Sequence, residues 1–168
     1  MERGLSGRGS SVANVDVWEL VAYEAIRDTV ARYAHYADSG RFKEFAELFA
    51  PDGMLEVQGE APLNGRDAIR LFLEGVSLDL EAATTVPMIR HHLSNLMIDL
   101  VSPTEAHGAC YFLAVTEHGV DHWGRYRDRF VPDRDNPSED RWLFAHRFVK
   151  TDGTVPGGWA ANRVNRGR

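Results

Sequence analysis

The chain has 168 residues, 43% of them hydrophobic, a formal net charge of -6 and a single cysteine. That length and composition suit one domain with a sizeable core, and an acidic balance without a long basic run argues against a nucleic-acid surface and for a small-molecule partner. Cys110 alone closes no internal disulfide and builds no thiolate zinc site, so a cytoplasmic location is expected.

Residues 1–14 are rich in Gly, Ser and Arg and predict a disordered segment, neither a signal peptide nor a membrane span. Nowhere does the chain reach the roughly 20 apolar residues of a membrane helix. The folded domain is expected over residues 15–152. Asp16 predicts an N-cap with Glu19 as its capping-box partner, and Val15 with Leu20 a hydrophobic staple. Ile26, Val30, Tyr33 and Ala37 then recur at helical spacing, so a helix from about Val17 to Ala37 buries one stripe. Trp18, Tyr23 and Tyr33 give it aromatic surface that is either core or the wall of a ligand cavity. Ser39-Gly40 stops the helix and leaves Asp38 in its last turn, as a solvated turn residue or a carboxylate for acid–base work.

A short second helix follows, with Phe42, Phe45, Ala46 and Phe49 on one face, and the turn formers Pro51-Asp52-Gly53 are expected to close it. Met54 to Gln58 alternates as a strand. Asn64-Gly65 and Asp67 open a third helix whose buried face is Ile69, Phe72 and Leu73, and Leu78 to Pro87 reads as an irregular connection.

From Met88 onward strands alternate with turns: Met88 to Leu100, Ala106 to Glu117, Asp121 to Val131 and Arg141 to Lys150. Helices first and hairpins afterwards is an α+β order, an antiparallel meander covered on one face by helices. Period-two alternation groups His92 with Ser94, Leu96, Ile98 and Leu100, which predicts His92 inside and His91 outside. Adjacent strand histidines point apart and make a poor metal pair. In GRYRDRF, Tyr126, Asp128 and Phe130 alternate with Arg125, Arg127 and Arg129, so Tyr126 and Asp128 become the inward polar groups. Residues 153–168 read as a loose tail.

Taken together, RYAHYADSGRFKEFAELFAPDG, NGRDAIRLFL, RHHLSN, GRYRDRF and RWLFAHRFV resemble the SnoaL-like and scytalone dehydratase-like group of the nuclear transport factor 2 superfamily. The resemblance implies a cone: a curved antiparallel sheet wrapped around the N-terminal helices, with a deep pocket between. It also implies an aspartate and an inner-strand histidine acting together, which fall on Asp38 and His92, and a second histidine, placed at His118. Ala37 and Val57 stand where the dehydratase carries substrate-orienting tyrosines. The expected function is a cofactor-independent lyase or isomerase acting on a small cyclic, mostly apolar carbonyl or hydroxyl compound. Asp38 and His92 would move the proton, with Tyr33, His118, Tyr126 and Asp128 around the substrate. No cofactor or metal is expected, since there is no Gly-rich phosphate loop and no metal cluster in the sequence, and a homodimer is. The alternatives are an epoxide hydrolase using Asp38, Asp128 and Arg127, and a non-catalytic ligand-binding or dimerisation module.

Overall fold

The computed structural model describes residues 16–166 apart from 84–87, 137 and 139. The expected disorder of 1–14 and the staple through Val15 lie outside the described residues. Helix α1 spans Val17–Asp38, and the Glu19 carboxylate accepts the Asp16 backbone N–H at 3.0 Å, closing the capping box. Its buried stripe is Ala22, Ile26, Thr29, Val30, Tyr33 and Ala34, recurring every three or four residues. Gly40 adopts φ +70° just past the helix end, a conformation that favours glycine.

Helix α2 is Phe42–Ala46, strand β1 Phe49–Val57, β2 Leu63–Asn64, helix α3 Arg66–Ala83, β3 Ile89–Ser102, β4 Glu105–Thr116, β5 Gly119–Pro132, β6 Trp142–Thr154 and helix α4 Trp159–Arg166. The chain is thus α+β, with N-terminal helices against a six-stranded, curved, open sheet of order β2-β1-β6-β5-β4-β3. Strands β3 to β6 form the antiparallel meander, whereas β1 joins β6 in parallel.

Three segments depart from the sequence reading. Pro51-Asp52-Gly53 does not end α2 but lies within β1, where the register to β6 shifts; a Cβ on Gly53 would stand 2.7 Å from the Phe144 carbonyl, so the turn chemistry serves a bulge. Helix α3 continues through Leu78 to Ala83 instead of giving way to a loop. Within the expected tail, residues 153 and 154 end β6 and Trp159–Arg166 form α4.

One aromatic cluster joins the layers. Tyr33 of α1 meets Phe45 at 4.5 Å, Phe144 at 5.6 Å and Tyr126 at 5.6 Å between ring centroids, and Phe130 and Phe49 lie within 5.1 Å of Phe144. The Thr29 hydroxyl donates to the Trp142 carbonyl at 2.6 Å and ties α1 to β6.

Candidate functional site

Between the helices and the inner face of the sheet lies a cavity of about 1050 Å³, roomy enough for a small polycyclic ligand. Asp38 sits at its wall because α1 ends against the edge strand β3. The Asp38 carbonyl accepts from Arg90 Nη1 at 3.2 Å. Its Oδ2 accepts the His91 backbone N–H at 2.9 Å, and its Oδ1 lies 2.6 Å from His91 Nδ1. Both side chains are largely buried, 11% exposed for Asp38 and 17% for His91. A carboxylate accepts, so the shared proton belongs to His91 Nδ1 and Nε2 is the ring nitrogen left free of Asp38.

The histidine against Asp38 is therefore His91, and His92 is exposed. Parity failed because β3 bulges. The register to β4 jumps between Ser94 and Met97, with Asn95 at φ +56°, so the side chains change face there. His91 and Leu93 point inward before the bulge, Leu96, Ile98 and Leu100 after it.

A second histidine–carboxylate pair stands beside the first. His122 lines the cavity, its ring 6.3 Å from that of His91 and 5.6 Å from Phe112. Its Nδ1 is 2.8 Å from Asp121 Oδ2. Asp121 is the extra residue of a bulge, since Ala114 pairs with His122 and Val115 with Val120, and Asp121 and His122 consequently both point inward. Burial pushes the His122 imidazole below its ordinary value, Asp121 opposes that push and His91 adds to it. His122 was missed, yet its parity with Tyr126 and Asp128 was there to be read. His118, expected in this role, lies in the β4–β5 turn with its side chain 81% exposed, 3.3 Å from Glu117.

Tyr33 and Tyr126 both line the cavity. Tyr126 stacks on Phe112 at 4.8 Å, and desolvation holds its phenol well above the ordinary value, hence neutral. Ala37 and Val57 also face the cavity. Asp128 lies deeper and does not line it. Its two oxygens each accept from Arg147 at 2.7 Å, and both side chains are fully buried. The guanidinium carbon sits 4.0 Å from the Tyr33 ring, 4.2 Å from Tyr126 and 4.1 Å from Phe144, a cation–π box under the cavity floor. Burial pushes the Asp128 carboxyl upward and the guanidinium opposes it. Arg127 faces outward and is exposed, so Asp38, Asp128 and Arg127 do not gather as an epoxide hydrolase would need.

The profile of the SnoaL-like domain family matches residues 18–148. Among solved structures, a candidate scytalone dehydratase from Novosphingobium aromaticivorans is 29% identical with a TM-score of 0.68, over 82% of this chain and 89% of that one. A Catenulispora acidiphila protein solved in complex with S-DNPA is 27% identical with a TM-score of 0.64, over 88% and 98%. A protein of nuclear transport factor 2-like, cystatin-like fold, also from N. aromaticivorans, is 25% identical with a TM-score of 0.65, over 89% and 96%. No curated protein matches the chain.

Proposed function

The chain belongs to the SnoaL-like family, and on that premise we propose that it is a lyase or isomerase that moves a proton on a small cyclic, mostly apolar carbonyl or hydroxyl compound using its own side chains. The observation that carries this reading is the 2.6 Å contact between Asp38 Oδ1 and His91 Nδ1 at the wall of a cavity otherwise lined mainly by apolar groups such as Phe72, Leu73 and Phe112. Asp38 fixes the ring and stabilises the imidazolium that forms, and His91 Nε2 takes a proton from the carbon next to a carbonyl. The neutral Tyr126 phenol donates to the developing enolate oxygen. His122, its proton on Nδ1, presents Nε2 to accept a hydrogen bond from the substrate hydroxyl. For elimination, the proton taken by His91 leaves with that hydroxyl as water; for isomerisation, it returns to another carbon of the conjugated system.

The likeness to the candidate scytalone dehydratase supports the reading at the level of reaction class. Ala37 and Val57 leave open apolar wall, which favours a compound less hydroxylated than scytalone. A thermal-shift screen over cyclic ketones and ketols tests it, followed by NMR in deuterated water. The expected result is enzyme-dependent deuterium uptake next to the carbonyl, or loss of water; a ligand that binds without either outcome contradicts the proposal.

The same reading includes a homodimer. Leu113 and Trp123 are cross-strand neighbours on the outer face of the sheet, exposed together with Tyr111, and a second copy would cover them.

A further inference from the structure

Asp121 is 2% exposed and takes no part in the proton transfer described above, yet its carboxylate is the most heavily engaged near the cavity. Oδ1 accepts the Trp159 backbone N–H at 2.6 Å, while Oδ2 accepts the Ala160 N–H at 3.1 Å and faces His122 Nδ1 at 2.8 Å. The first two donors are N-terminal amides of α4, which no helical carbonyl can satisfy. The Asp121 carbonyl also accepts from Val155 at 2.7 Å. A Cβ on Gly158 would stand 2.7 Å from Asp121 Oδ1, so the chain approaches the carboxylate as closely as only glycine allows. Helix α4 in turn supplies Trp159, Ala160 and Ala161 to the cavity wall, with the Trp159 ring 6.1 Å from that of His122.

We propose that Asp121 is a positioning residue that makes the tautomer of His122 depend on the docking of α4. With α4 seated, two backbone amides pin the carboxylate so that Oδ2 faces the ring, the ring proton stays on Nδ1 and Nε2 faces the cavity as an acceptor. With α4 unseated, the carboxylate turns toward water and His122 relaxes to the mixture of tautomers of a solvated imidazole. The C-terminal helix thereby closes part of the cavity wall and prepares the histidine in one event. This rests on His122 as the group that orients the substrate hydroxyl, but it is tested without turnover.

Nitrogen-15 NMR of the imidazoles in the full chain, with hydrogen exchange of the α4 amides alongside, provides the test. In the unaltered protein His122 is expected as the Nδ1–H tautomer. Gly158→Ala replaces neither Asp121 nor His122 but sets a Cβ 2.7 Å from Asp121 Oδ1, which pushes the α4 N-terminus off the carboxylate; it should lower α4 protection about tenfold, as the loss of one N-cap does, while moving His122 to a mixture. If α4 loses protection and His122 stays Nδ1–H, Asp121 is a cap only and the proposal is overturned. Asp121→Asn covers the case in which the alanine is accommodated: the amide still caps α4 through its oxygen but cannot accept from Nδ1–H, so His122 should switch to Nε2–H, and an unchanged ring overturns the proposal equally. If both variants behave as expected while no compound is turned over, the chemical reading alone has failed.

Discussion

The Asp38 carboxylate holds His91 twice, by the ring Nδ1 at 2.6 Å and by the backbone N–H at 2.9 Å. Because β3 is the edge of the sheet, the second bond also satisfies a donor there. One carboxylate therefore anchors the end of α1 to the sheet and orients the imidazole, and the geometry predicts opposite outcomes for two adjacent histidines. His92→Ala should leave stability within about 0.5 kcal/mol and ligand binding unchanged, whereas His91→Ala should abolish turnover. Equal effects of the two substitutions on a screened ligand would contradict the assignment.

The α+β order, the capping box at Asp16 and Glu19, the buried stripe of α1 and the place of Asp38 were legible because each depends on local periodicity or end chemistry. The inward histidine of β3 was not, because a period-two argument holds only while the strand stays in register and the bulge at Asn95 resets the faces of β3. His122 kept its parity with Tyr126, and what the bulge at Asp121 hid was the carboxylate turned inward beside it. Asn95 was the available signal on β3, since asparagine tolerates φ +56° better than most residues. Helix α4 escaped because its docking depends on Asp121, more than thirty residues earlier, and composition carries no trace of that contact.

Cys110 is buried, and desolvation pushes its thiol up to about 11. It should resist alkylation at neutral pH in the native protein and react fully in denaturant. Rapid modification of the folded chain would mean that this strand opens far more readily than its burial implies.

The Asp128–Arg147 pair predicts an asymmetry in stability. Arg147→Met leaves a carboxylate stranded in the core and should cost about 3–5 kcal/mol in urea unfolding, while Asp128→Leu combined with Arg147→Met should recover most of that loss. A single substitution costing under about 1 kcal/mol would show that the pair is not closed in solution.

His122 gives the fold an acid sensitivity with a definite sign. Its imidazole lies below the ordinary 6.5 in the folded chain, so the unfolded chain binds the proton first as pH falls. The contribution to stability is complete above about 6.5 and declines as pH drops from there toward the folded value. The melting temperature should fall over that range, and His122→Gln should flatten that part of the profile; an unaltered slope in the variant would assign the sensitivity to another group.

The most direct measurement is the turnover of Asp38→Asn on a compound found by thermal shift. The substitution keeps the shape and an accepting oxygen but removes the charge that steadies the His91 imidazolium. The predicted result is a kcat lower by about 10²–10⁴-fold, the usual contribution of general acid–base catalysis, with the ligand-induced rise in melting temperature nearly unchanged. A variant that binds the compound and turns it over as fast as the unaltered protein would contradict the role of the Asp38–His91 pair.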